Sequence, residues 1–306
     1  MPPLRPASSE RIETGHLLGS HLSIAGGMHH AIEAALRLGF ETVQVFVKNQ
    51  RQWRAAPIKD DDFAAWQRLR QTPGFGPIVA HATYLVNLAA TDDALRTQSR
   101  DAFCEELLRC ELLGIPYLVV HPGAAGQTPV ADACRRVADS LDSIFEQYPR
   151  LTAMPLLETT AGQGTTLGRS FEELAAILMA LREPARVGVC IDTCHVFAAG
   201  YDICDPAKYA AMIDLARRTV GLERIRCWHL NDSRGDLGSH LDRHEHIGKG
   251  KIGVAGFRNV LRDDRFHGVP MILETPKETA PDGCEWDTIN AALLRKLAGG
   301  SRVRNG

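Results

Sequence analysis

The sequence predicts a (β/α)8 TIM barrel, an α/β fold with its active site at the C-terminal ends of the strands. Eight short apolar runs recur roughly 25–45 residues apart, about the length of a strand–helix unit. Glycine-containing loops and helix-period segments lie between them. Each run also leads into a polar or ionisable residue, in chain order His21, Lys48, His81, His121, Glu158, Asp192, His229 and Glu274. In a parallel barrel all strands end on one face, and that face carries the chemistry.

Taken in order, 17–20 is the first strand, followed by a helix from Met28 to Leu38 with Ile32, Ala35 and Leu36 on one face and Gly39 as its stop. The runs 43–47, 78–80 and 117–120 are the next strands; the helix preceding the last of these covers Asp101 to Leu113 and stops at Gly114. Run 154–157 leads to Glu158, a helix follows over Phe171 to Leu181, and run 187–191 leads to Asp192. A helix from Ala207 to Val220 stops at Gly221, before runs 225–228 and 270–273. Between those two runs, Asn231 to Gly256 reads as a long loop rich in glycine, histidine and charge, and loops of that length are usually functional. Residues 1–15 are polar, lack the apolar segment of a signal peptide and read as a disordered tail before one barrel domain over 16–300.

The composition is globular, with 44% apolar residues. A formal net charge of −2 argues against a broadly electrostatic nucleic-acid binder but leaves room for a local cationic site. No run approaches the ~20 apolar residues of a membrane helix. The eight cysteines form no CxxC pair, and Cys190, Cys194 and Cys227 lie in or near strands as small hydrophobes; a reducing, cytoplasmic setting is expected.

Six widely separated residues, His81, His121, Glu158, Asp192, His229 and Glu274, are therefore expected at one mouth. Two local motifs add to them. Asp192-Thr193-Cys194-His195 sets an acid and an imidazole three residues apart, and Asp242-Arg243-His244-Glu245-His246 lies in the long loop. If that backbone is extended, Asp242, His244 and His246 point to one side. A lone strand-end histidine is usually structural, a glutamate a salt-bridge partner, and Asp192 a helix cap. Their shared position changes the balance. Several unpaired acids at one mouth would repel, and bound cations resolve that. A nitrogen-rich donor set favours zinc or a similar transition ion over magnesium. His16, His29, His30, His240 and His267 show no such placement, and His21 and His246 are ambiguous.

With these residues in hand, the chain resembles the endonuclease IV family, zinc-dependent apurinic/apyrimidinic endonucleases. The resemblance runs from about Leu18 to the early 290s through SHLSIAGG, KNQRQWRAAP, HATYLVNL, HPG, ETTAGQG, GVCIDTCHVFAAGYD, HLNDS, LDRHEHIG and LET, all in order. Ser20 stands where alanine is commoner. The resemblance implies three Zn2+, with Mn2+ possible at one site. His81, His121 and Glu158 would hold the first and Glu158, Asp192, His229 and Glu274 the second, so that Glu158 bridges the two. His195, Asp242 and His244 would hold the third, leaving His246 out. It further implies a monomer that hydrolyses the phosphodiester 5′ to abasic sites in duplex DNA, with Glu158 central to catalysis. Arg51, Tyr84 and Leu85 would probe the DNA.

Three further expectations concern DNA. Lys48, Arg51 and Arg54 would extend the cationic patch, and Trp53 would pack rather than stack on a base. The glycine-rich stretches 123–126, 162–164 and 248–253 could admit phosphates to backbone amides, or be simple turns. A sugar isomerase or epimerase on the same barrel, or a non-catalytic damage-binding protein, are the alternatives; five histidine ligands, the pair from the long loop and KNQRQW argue against the first.

Overall fold

The computed structural model describes residues 15–299. The expected tail lies outside the described residues except for Gly15. Eight parallel strands form the barrel: β1 (Leu17–Ser20), β2 (Gln44–Phe46), β3 (Val79–His81), β4 (Tyr117–Val120), β5 (Met154–Glu158), β6 (Gly188–Asp192), β7 (Ile225–His229) and β10 (Pro270–Leu273). Their order around the sheet is β1-β10-β7-β6-β5-β4-β3-β2. The circle closes between β1 and β2 through one parallel bridge, His21 to Gln44, where the Leu22 N–H donates to the Gln44 carbonyl at 2.9 Å. Gly19 is required at this seam, because a Cβ there would lie 2.7 Å from Thr42 and 2.9 Å from Ile272.

The barrel interior explains how the site is aimed. Val79, Val119, Leu156, Cys190, Cys227 and Ile272 form one buried apolar layer, a single residue from each of six strands. Side chains alternate along a strand, so the residue two positions on points to the same side. Those residues are His81, His121, Glu158, Asp192, His229 and Glu274. The apolar layer is thus the floor on which the polar mouth rests.

The helices α1 (His29–Arg37), α3 (Asp93–Leu113), α5 (Phe171–Ala180) and α7 (Pro206–Thr219) occupy the expected segments. α3 begins eight residues before the expected start, where Asp92 caps it by accepting from the Leu95 N–H at 2.7 Å. Five further helices go beyond the sequence expectation: α2 (Asp60–Leu69), α4 (Val130–Gln147), α6 (Thr193–Ala199), α8 (Gly253–Leu261) and α9 (Trp286–Ala298). α2 buries only Trp66, so its apolar stripe is faint. The long loop after β7 is more ordered than expected. It holds an antiparallel ribbon, β8 (Asp232–Ser233) with β9 (His244–Glu245), and ends in the first turn of α8. No described helix is long and apolar enough to cross a membrane.

Candidate metal centre

Glu158 lies at the middle of the mouth, fully buried, with its two oxygens shared among different imidazoles. Oε2 is 3.1 Å from His81 Nε2 and 3.0 Å from His121 Nε2; Oε1 is 2.8 Å from His229 Nδ1. His229 Nδ1 is also 3.1 Å from Glu274 Oε2 and 3.8 Å from Asp192 Oδ2. Two neighbouring groups fix which nitrogens carry protons. His81 Nδ1–H donates to the Ala82 carbonyl at 2.7 Å, which leaves the Nε2 lone pair facing Glu158. His229 Nε2–H donates to Gln44 Oε1 at 2.8 Å, which turns the Nδ1 lone pair toward Glu158 and Glu274. Lone pairs aimed at carboxylate oxygens are unfavourable unless a proton or a metal ion lies between them.

A second cluster lies beside the first. Asp192 ends β6 and caps α6, where its Oδ1 accepts from the His195 N–H at 2.9 Å. Its Oδ2 accepts from Asn231 Nδ2 at 2.6 Å and faces the cluster, so the capping and ligand readings of Asp192 hold together. His195 Nδ1–H donates to the Thr159 carbonyl at 2.8 Å. His195 Nε2 lies 3.2 Å from Asp242 Oδ2, and His244 Nε2 lies 3.3 Å from Asp242 Oδ1 and 3.8 Å from Asp192 Oδ2. Both Nε2 atoms are buried without an aligned hydrogen-bond partner. Two orphaned imidazole nitrogens and two carboxylates around one point form a donor set that suits a transition-metal ion. The groupings His81, His121, Glu158 and Asp192, His195, His244 each bring one donor atom per residue within 4.8 Å of the others.

The electrostatics agree. Burial alone would push the Glu158 carboxyl up, but the His229 and His121 imidazoles outweigh it and hold it well below the usual carboxylate range. Glu274 is depressed in the same way against burial, chiefly by His229 and His21. Burial would lower His195; Asp192 and the neighbouring Asp242 and Glu158 carboxylates raise it well above the ordinary histidine value. Burial likewise opposes the shift at His244, which Asp242 and Asp192 raise to about 9. The mouth therefore demands positive charge, and a bound cation meets that demand in place of protons.

All nine expected ligands converge; the residues expected to meet DNA divide. Tyr84 is 65% exposed above the mouth, its ring centroid 5.7 Å from that of His81 and 6.2 Å from that of His121. Arg51 is exposed and Leu85 half-buried. Lys48 departs from expectation. It is only 4% exposed, and its ammonium donates to the Trp53 carbonyl at 2.8 Å and pairs with buried Glu106 at 3.2 Å. It fastens the loop after β2 to α3 instead of presenting charge to solvent. Trp53 packs against the core as expected. It and Arg54 line a groove of about 760 Å3 with Asp93, Asp101 and Glu105, whose charge is wrong for phosphate. A cavity of about 750 Å3 opens onto the mouth between His21, Phe46, Tyr84, His244, Glu274 and Lys277.

Two of the glycine-rich stretches already have partners for their amides. Buried Asp232 accepts the N–H groups of Ser233, Gly248, Gly250, Ile252 and Gly253 at 2.8–3.3 Å. The amides of Ala124, Ala125 and Gly126 are taken by Asn87 and Thr165. These are organised turns, so the phosphate-cradle reading fails for them. Asn231 and Asp232 lie within HLNDS but carry no role in the sequence reading, and Gln44 gives no signal there; none of the three is a strand-end acid or histidine. His246 turns away from its neighbours, stacked on Trp286 at 3.9 Å and 3.2 Å from Glu278.

This eight-stranded parallel barrel belongs to the class described as Xylose isomerase-like TIM barrel, which the chain matches over residues 32–296. Within it the chain is 49% identical to the probable endonuclease 4 of Chloroflexus aggregans, over 91% of this chain and 96% of the relative. It also matches the crystal structure of endonuclease IV from Thermus thermophilus, with a TM-score of 0.80 and 38% identity over 92% of this chain and 98% of that one. The chain belongs to the endonuclease IV family. A D-tagatose 3-epimerase-like protein superposes with a TM-score of 0.69 over 92% of this chain and 96% of that one; at 17% identity it shares the fold alone.

Proposed function

We propose that the protein is a DNA-repair endonuclease that hydrolyses the phosphodiester 5′ to abasic sites in duplex DNA and leaves a 3′-hydroxyl, using three zinc ions, one of them replaceable by manganese. The observation that carries this reading is the shared use of Glu158: Oε2 faces His81 and His121 while Oε1 faces His229, the arrangement of a carboxylate bridging two ions. His81, His121 and Glu158 would hold the first, Glu158, Asp192, His229 and Glu274 the second, and His195, Asp242 and His244 the third. When bound, zinc lowers the pKa of water to about 7 and neutralises charge on the phosphate, which answers the slow attack of a weak nucleophile on an anion. Three divalent ions against four carboxylates leave the mouth formally cationic, which lets a chain of net charge −2 bind a polyanion.

The remaining work falls to the chain itself. Glu158 would be the catalytic carboxylate, held at the centre of the mouth to orient the attacking water once the ions are bound. Arg51, Tyr84 and Leu85 fill the gap left by the missing base, and a nucleotide without a base is cheap to flip from the stack. Lys48 acts indirectly by holding the Arg51 loop in place. We read the protein as a cytoplasmic monomer. Incubation with a duplex carrying one abasic analogue, followed by mapping of the product ends, tests the proposal. Single incision 5′ to the lesion with a 3′-hydroxyl is expected. Binding without incision would point to a damage-binding protein, and sugar epimerisation without any nuclease activity to the other users of this barrel.

A further inference from the structure

Six strands of the barrel supply proposed ligands, while β1 and β2 supply none. At that gap stands Gln44, a fully buried amide at the seam of the barrel. All of its polar atoms are engaged. Nε2 donates to Glu274 Oε1 at 2.6 Å and to His21 Nδ1 at 2.9 Å, and Oε1 accepts from His229 Nε2–H at 2.8 Å. This arrangement permits one orientation of the amide. A carboxylate can only accept, so the group facing Glu274 must be the NH2. The carbonyl then faces His229, and His229 must carry its proton on Nε2. Nδ1, the nitrogen aimed at Glu158, Asp192 and Glu274, is thereby kept free to ligate.

We propose that Gln44 is a positioning residue of the metal centre, locking the His229 tautomer with its carbonyl and the Glu274 rotamer with its amide nitrogen. The proposal rests on the metal-centre reading above. Its logic is that of partners behind metal ligands, whose loss typically weakens metal binding 10–100-fold. Glutamine suits the position because the neighbouring groups require one acceptor and two donors at the same point. Glutamate would set a carboxylate against Glu274, and methionine would offer neither function.

Two measurements test it. In protein labelled with 15N at histidine, the His229 Nε2–H should give a hydrogen-bonded, slowly exchanging resonance with or without metal. Gln44→Met should lose that protection, whereas Gln44→Glu should keep it, because an acceptor remains. In zinc-loaded protein, transfer to a chromogenic chelator should release one ion 10–100-fold faster in both variants, with the other two leaving as in the parent. An unchanged His229 resonance in Gln44→Met overturns the proposal, as does uniform loss of all ions together with the fold. A parent that binds no transition metal but shows the protected resonance and its loss in Gln44→Met would remove the metal reading, yet leave the Gln44–His229 lock standing.

Discussion

The mouth of the barrel has two unequal sides. From β3 round to β10, every barrel strand ends on or runs directly into an imidazole or carboxylate that reaches the central cluster, packed so that lone pairs face one another. At β1 and β2 the strand ends supply no proposed ligand, and each polar atom of Gln44 has a hydrogen-bond partner. The charged side is held in register by the apolar layer beneath it, from Val79 round to Ile272. The seam has one bridging pair instead, reinforced by the Ser20 hydroxyl donating to the Leu273 carbonyl and by Lys277 pairing with Asp287 at 2.8 Å. Ligands that repel one another can share a mouth when a neutral amide with every polar atom hydrogen-bonded fixes their backs.

The strongest way to break this contrast is at its charged centre. Glu158→Gln should cut turnover by at least about 10²–10³-fold, the scale of losing a preorganised electrostatic group, with far less effect on DNA affinity. Near-normal turnover at full metal content would remove Glu158 from the middle of the mechanism. His195→Ala should lower the transition-metal count from about three per chain to about two by elemental analysis, with a loss of activity. A parent containing one metal, or only magnesium, would refute the trinuclear reading. The rim comes next. Alanine at Arg51, Tyr84 and Leu85 together should weaken abasic-duplex binding by ~1–3 kcal/mol per residue while zinc content stays normal. If the triple variant still distinguishes abasic from intact duplex as the parent does, these residues do not read the lesion.

Asp232→Ala sharpens the comparison further, because this acid serves the loop rather than the ions. Removing it leaves several amides of the 248–253 turn without a partner, each costing ~1–3 kcal/mol where it stays buried. Melting should fall while the first proposed metal site, whose residues His81, His121 and Glu158 make no hydrogen bond or ion pair with the loop, keeps its ion. Loss of all the metals before any change in melting would place Asp232 in the centre itself.

What the sequence made legible follows from the same asymmetry. The proposed ligands on the charged side are mostly acids and histidines at the ends of apolar strands, so period and residue type announce them together. Asp242 and His244 were legible as an i, i+2 pair, and the ribbon β8–β9 makes the backbone extended at His244. His246, outside the ribbon, breaks the alternation by stacking on Trp286. Gln44 was illegible because a glutamine inside a strand resembles any polar interruption, and its partners lie 23 to 230 residues away. Lys48 misled for the opposite reason. A lysine after a strand reads as surface charge, and Glu106, far along the chain in α3, gives no local sign that it will bury the ammonium.

The smallest predicted effect separates the two sides by pH. In metal-stripped protein the charged side relies on protons: His195 titrates well above its ordinary value and His244 near 9, both raised by neighbouring carboxylates against the pull of burial. A group whose folded pKa is raised stabilises fully below its unfolded value, about 6.5, and loses that contribution as pH climbs through the folded one. Stripped protein should therefore melt at lower temperature as pH goes from about 6.5 to 9. His21 at the seam behaves in the other sense, since burial pushes its pKa down, and it contributes no loss in this window. Zinc-loaded protein should show the reverse slope, because ligation displaces protons and strengthens as they become scarce. Melting curves of both forms across that range decide the matter. A difference of a few degrees is expected, as ~1 kcal/mol moves the midpoint of a large domain by about 2–4 °C. Parallel slopes in the two forms would mean that protons and metal ions do not compete for His195 and His244, and the third site would then have to be sought elsewhere.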